Sequence, residues 1–296
     1  MKKVFIVIFI SIISELFAQT IPFEKFDSTK IDVGTMYVYE YSSNKENFVP
    51  NAKKYFYVKS LNKIEVMTVF TKDTLELPDI FKYKLNWDYM MLEKSSFKYV
   101  GNKSEIGINF IYKSNENIDF QRKIFMSKSL GGSNDGLKEY VVKQNFESIP
   151  TYFYQYTDLM PLWFSLRFYP LDKEKITVNS LTSNYNTEVD IEYKGEEVVN
   201  VPYGKVLCRK FELIPQLSFF MKLFSSPKKV FIWLSSEAKN KFMVKYKNNN
   251  PQNTIIQSME YRLRKIDEIT IEEWEELKTK NIEQRLNAKK KENISK

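Results

Sequence analysis

TEVDIEYKGEEVVNVPYGKVLCRKFEL (187–213), with VFIWLSS (230–236) and FMVKY (242–246) behind it, decides the fold. Val189, Ile191 and Tyr193 alternate with Glu188, Asp190, Glu192 and Lys194. Side chains alternate faces along a strand, so this is a strand with one apolar and one charged face. Gly195 is read as the turn that ends it. Val198, Val199 and Val201 follow, then Pro202-Tyr203-Gly204. Proline presets φ and glycine tolerates positive φ, so a tight turn is expected there. Lys205–Leu213 is the next strand, with Leu207, Phe211 and Leu213 on one face. Val230–Leu234 is apolar at every position, as in a strand covered on both faces, and Phe242, Val244 and Tyr246 alternate again. Short turns between such strands make an antiparallel meander.

Three segments, EEVVNVPYGKVLCRKFEL (196–213), VFIWLSS (230–236) and FMVKY (242–246), resemble the DUF3108 family of bacterial exported proteins. DLMPLWFSLRFYPL (158–171) is similar to a short helix of that family, with Pro161 where serine is more usual. The resemblance covers roughly 158–247. It implies export and a fold like the curved half-barrels of periplasmic lipoprotein carriers. It implies no catalytic residue, because the family has no assigned activity.

Upstream the same strand rhythm continues. Thr35–Tyr41 carries Tyr37, Tyr39 and Tyr41 on one face, and Tyr55–Lys59 and Ile64–Phe70 form a hairpin. Ile80–Leu85, Tyr89–Tyr99, Ile106–Tyr112 and Asp119–Phe125 extend the series. Asn86–Asp88, Gly101–Lys103 and Lys113–Ile118 (KSNENI) are read as its turns. Gly131–Gly136 is the expected boundary between a β-rich half (19–136) and a second one (137–268). Leu137–Phe146 is a further strand, Tyr152–Tyr169 one buried helix, and Ile255–Leu263 the last strand. Thr270-Ile271-Glu272-Glu273 is a capping box opening a helix to about Ala288, with Ile271, Trp274, Leu277 and Ile282 as its stripe and a basic tail behind it. The expected fold is α+β and predominantly antiparallel β: a curved sheet or open β-barrel with one buried helix and a C-terminal helix.

Residues 1–18 have the form of a secretory signal peptide: Lys2 and Lys3, an apolar run Val4–Ile13, then Leu16-Phe17-Ala18. The run is too short to span a bilayer, and no cysteine follows it for lipid attachment. No later window resembles a membrane span. A periplasmic or secreted protein is expected.

The 296 residues contain no histidine and one cysteine, Cys208. That excludes a histidine-based catalytic relay, a histidine-bearing zinc site and an intramolecular disulfide. LGGSNDG (130–136) fits no phosphate-binding loop, and no cofactor is implied. The net charge of +8 is spread along alternating faces, without the basic stripe of a nucleic-acid binder. The link Pro215–Lys229 is apolar where a hairpin link is normally polar. Its Phe219, Phe220 and Phe224, with Trp163 and Trp233, are the candidate ligand groove. Three functions stay open: a carrier of a lipid or other apolar ligand, a module docking a protein partner, and a carboxylate-based polysaccharide hydrolase.

Overall fold

The structure is a computed structural model and describes residues 23–42, 47–71, 77–88, 91–103, 108–119, 121, 124–133, 136–145, 152–153, 160–181, 186–216, 229–236, 241–249 and 259–295. The expected signal peptide and residues 217–228 of the apolar link lie outside these.

Among the described residues, fifteen strands make one unclosed sheet. They are β1 (Thr35–Ser42), β2 (Ala52–Ser60), β3 (Lys63–Phe70), β4 (Asp79–Asn86), β5 (Met91–Lys103), β6 (Ile108–Asp119), β7 (Ile124–Ser133), β8 (Gly136–Asn145), β9 (Tyr152–Phe153), β10 (Lys175–Leu181), β11 (Asn186–Val201), β12 (Gly204–Pro215), β13 (Lys229–Ser235), β14 (Met243–Asn249) and β15 (Met259–Glu268). Two meanders, β8 to β1 and β15 to β9, join where β1 pairs antiparallel with β15. Every pairing is antiparallel except β9 with β10.

The chain length across one gap requires the sheet to curl. Fifteen strands at the usual spacing would stretch roughly 67 Å from edge to edge if flat. Yet β8 at one edge is joined to β9 at the other by residues 146–151, which reach about 25 Å at most. Accordingly β9 lies against β5, and β6–β8 extend past that closure. The predicted boundary at Gly131–Gly136 falls on the hairpin between β7 and β8, where Gly131 pairs with Lys138.

The central meander forms as its alternation dictates, with one correction. Gly195 does not turn the chain. It sits in β11 with φ +94, at the register shift between Tyr193 and Glu196. Its freedom at positive φ absorbs a β-bulge, so two predicted strands are one. Pro202-Tyr203 and Gly204 (φ +136) make the expected turn. Two other predicted turns are strand. KSNENI pairs with both β5 and β7, because backbone pairing needs no apolar side chain, and Gly101–Lys103 is the end of β5. β10, unread in the sequence, buries Ile176 and Val178 by simple alternation.

The predicted helix 152–169 is shorter. Tyr152–Phe153 pairs with Ser180–Leu181, and the helix α1 is Met160–Ser165, continued by a 3-10 turn Leu166–Phe168. Pro161 fits the first turn, where no N–H is needed. Pro170 disfavours helix at Tyr169, which is extended (φ −64, ψ 125). This piece lies on the concave face. Trp163, Phe164, Leu166 and Phe168 are buried in one core with Tyr37, Phe211, Ile232 and Leu263. Trp163 meets Tyr37 edge-on at 5.6 Å. Among them stands Arg167, 0% exposed, which donates to Asp32 Oδ1 and to the Lys30 carbonyl, each at 2.7 Å. Its guanidinium lies 4.8 Å from the Trp163 ring and 4.5 Å from the Phe164 ring.

The C-terminal helix α2 (Ile271–Ser295) covers the convex face of β1–β3. Its capping box is formed: the Thr270 N–H donates to Glu273 Oε2 at 2.8 Å and the Glu273 N–H to Thr270 Oγ1 at 3.2 Å. Among the described residues no helix is long and apolar enough to cross a membrane. The inward stripe differs from the predicted one. Ile271 is exposed, while Trp274, Lys278 and Arg285 are buried and Leu277 is packed alongside. Arg285 donates to the Phe70 carbonyl at 2.9 Å, and Lys278 turns inward because Glu65 is beneath it. That carboxylate accepts from Trp274 Nε1 (2.9 Å), Lys278 Nζ (2.7 Å) and Lys59 Nζ (2.9 Å). Burial alone would raise the Glu65 pKa, but the hydrogen bonds from Lys278, Trp274 and Lys59 outweigh it and hold the group at about 2.

Two predictions follow from these buried charges. Arg167→Ala strands Asp32 and is expected to cost about 3–5 kcal/mol in urea unfolding, with Arg167→Met/Asp32→Asn less damaging than the two single changes summed. Glu65 has a folded pKa below its ordinary 4.5, so its stabilisation is complete above that value and is lost as pH falls toward about 2. It amounts to at most about 3 kcal/mol. Acid titration is expected to release α2 over that window, read by Trp274 fluorescence, and Glu65→Gln should remove the pH dependence.

Candidate functional site

Trp163 and Trp233 do not share a wall. Trp163 is buried on the concave face with the helix. In register, Ile232 stands beside Phe211 and Tyr246 on that same face, so its neighbour Trp233 points to the convex one. There it is covered by lysines: Lys245 Nζ at 5.1 Å and Lys210 Nζ at 5.3 Å from its ring, with its indole N–H given to Glu197. Phe219, Phe220 and Phe224 lie outside the described residues. Beside Trp233, Lys194, Gly195, Glu196, Glu197, Lys210, Glu212 and Phe231 line a convex depression of about 270 Å³. Its charges are largely paired with each other: Lys194 with Glu192 and Glu212, Lys210 with Glu197, Arg209 with Glu196. It is a solvated charged surface.

The chemistry-bearing groups are also engaged. Cys208 is buried, and burial together with the Glu197 charge pushes its thiol up to about 12. Too little thiolate exists at neutral pH for a nucleophile. Among the described residues no three His, Cys, Asp or Glu side chains are grouped to hold a metal ion.

A different cluster stands out, at the end of the concave face away from α1. In β2, Ala52, Lys54, Phe56 and Val58 are buried at alternate positions, so the parity of the strand carries a lysine inward. Cross-strand register then sets Lys54 opposite Thr68, and Thr68 opposite Asp79. This polar row crosses an aromatic wall. Lys54 is 6% exposed, and its Nζ lies 5.1, 5.7 and 5.8 Å from the rings of Tyr261, Tyr41 and Phe81. Ring faces attract an ammonium, which offsets part of its desolvation. Thr68 and Asn248 are each 3% exposed. The Thr68 hydroxyl and the Asn248 carbonyl oxygen have no hydrogen-bond partner among the described residues. Buried polar atoms without a protein partner are rare in native cores. The sequence reading passed over Lys54 because β2 was started at Tyr55. One residue more would have shown it in phase with Phe56 and Val58.

No protein-family model matches the chain, and no curated protein matches it in sequence. Among solved structures it is similar to a β-barrel-like protein of the domain of unknown function DUF1849 from Brucella abortus, at 9% identity and a TM-score of 0.38, covering 79% of this chain and 96% of the other. It is also similar to a protein from Bacteroides fragilis described as a candidate exported protein with a YmcC-like fold, at 11% identity and a TM-score of 0.24, covering 84% and 100%. A candidate lipoprotein from Parabacteroides distasonis matches at 8% identity and a TM-score of 0.26, with the same coverage. Likenesses this remote assign no activity, ligand or partner to this chain.

Thr68→Val replaces a buried, unpartnered hydroxyl by a methyl group and is expected to leave stability unchanged or raise it by up to about 1 kcal/mol, read as a higher melting temperature. A clear loss of stability would show that the hydroxyl serves the fold.

Proposed function

We propose that the protein is an exported, non-enzymatic binding protein of the bacterial envelope that holds the anionic head of an amphipathic ligand at the polar end of its concave face. The observation that carries this is Lys54: a cation placed by strand parity inside an aromatic wall, with the Thr68 hydroxyl, which has no hydrogen-bond partner among the described residues, opposite it in register. In this reading Lys54 meets the head group, Thr68 opposite it adds a hydrogen bond, and Tyr41, Phe81 and Tyr261 flank the apolar part. An anion is preferred because Lys54 brings a positive charge to this wall, and a charge-assisted hydrogen bond to an anion is stronger than one to a neutral group.

Export is supported by the N-terminal basic-then-apolar pattern and by the DUF3108-like segments over 158–247. A non-enzymatic role is supported by the missing histidine, the high pKa of Cys208 and the mutual pairing of the convex-face carboxylates. The groove first expected around Trp163 and Trp233 gives way to this end of the sheet, because α1 fills the concave face at Trp163.

The test is native mass spectrometry of the full chain exported from a bacterial host and purified without detergent, followed by solvent extraction and lipid analysis. A near-stoichiometric anionic amphiphile is expected, retained about tenfold less by Lys54→Met, a loss of about 1.4 kcal/mol of binding. The variant should melt no lower than the parent. A bare protein that also ignores a fluorescent fatty acid, or a Lys54→Met variant that binds as well as the parent, would overturn the reading.

A further inference from the structure

β8 forms one margin of the sheet, and among the described residues it pairs with β7 alone. It is ten residues long and runs in unbroken register with β7. Natural sheets blunt such edges with short strands, proline, bulges or charged side chains; this strand is neither short, bulged nor proline-bearing, and its charges are Lys138, Glu139 and Lys143. Glu139, Val141 and Lys143 are exposed on one face, Val141 at 66%. On the same face β7 adds the exposed Met126 and Lys128.

We propose that this edge binds a second copy of the chain, antiparallel, with Val141 opposite its own counterpart. Symmetry restricts the choice. Opposed residues in an antiparallel pair share a face, so a two-fold axis through two identical strands must set one residue opposite itself. Centring at Lys138, Glu139 or Lys143 brings a charge directly against its like, which is destabilising. Centring at Tyr140 or Val142 sets Glu139 and Lys143 against uncharged residues. Centring at Val141 sets Glu139 against Lys143 of the second copy, twice, on either side of the exposed valines. Glu139 already pairs with Lys128 within the sheet, but at 45% exposure its side chain has room for a second cation. The interface is then a β-sheet continued across two chains, held by backbone hydrogen bonds and registered by charge.

This proposal is independent of the Lys54 site. It is tested by sedimentation velocity of the full chain over a concentration series, with cysteine cross-linking. A reversible dimer is expected. Val141→Cys should form a disulfide-linked dimer under mild oxidation, since self-opposed residues lie within disulfide reach. Tyr140→Cys should not, and neither should the parent, whose Cys208 is buried. Glu139→Lys or Lys143→Glu alone should weaken the dimer about tenfold, and the two together should recover it. A chain that stays monomeric throughout, or a dimer that Val141→Cys fails to cross-link, overturns the proposal.

Discussion

The curled sheet depends on one buried cation. Arg167 sits among Trp163, Phe164 and Tyr37 with no exposure, and it reaches out of that core to Asp32 and the Lys30 carbonyl. Its Nη1 bonds to Asp32 and to the Lys30 carbonyl tie the short helix to the N-terminal lead-in, so the two are placed together. α1 in turn touches both β5 and β9. It is the piece against which the far ends of the sheet meet. Burying the charge gains less stability than a well-packed apolar residue would. It gains a single geometry, because few other packings satisfy both the guanidinium and Asp32.

The convex face solves a similar problem differently. A sheet packed on one side still exposes Met36, Val38, Met67 and Val69 on the other, and α2 covers them. Glu65 selects where that helix lies. Three donors converge on one carboxylate, two of them from α2, so the helix has a fixed rotation although its apolar stripe is thin. Further along the sheet, no helix among the described residues covers the convex face of β13, and the stems of Lys210 and Lys245 shield Trp233 instead. In this sheet lysine is used three ways: as cover over Trp233, as an anchor at Lys278 and, at Lys54, as an inward charge.

The strands were legible wherever alternation was clean: β1, β3, β4, β12 and β14 follow from apolar residues two apart, and the α2 capping box from four residues. The failures have physical causes. Lys113–Ile118 is polar on both faces and reads as a turn, but strand pairing is a backbone matter, and its neighbours β5 and β7 supply it. Gly195 carries the composition of a turn and the geometry of a bulge, which differ only in what the partner strand does. The inward face of α2 could not be found by counting apolar residues, since Lys278 belongs to it because of Glu65 and Arg285 because of the Phe70 carbonyl, each more than two hundred residues away. The Lys54 row is partly legible, as parity turns the lysine inward. That Thr68 and Asp79 flank it depends on register, which no single strand contains.

The pairing of β1 with β15 has a consequence in time. Strands β2 to β8 can form from neighbouring hairpins, each needing only a short loop to close. β1 cannot be finished until β15 arrives, with partners such as Tyr37 and Ile266 separated by nearly the whole chain. Contacts at that separation form late, after the loop entropy of everything between has been spent. A chain threaded through a membrane from its N-terminus would therefore emerge with the Tyr37–Tyr41 edge open and aromatic until its last strand followed. During that interval it is most vulnerable to aggregation, and a holding chaperone would have the most to do.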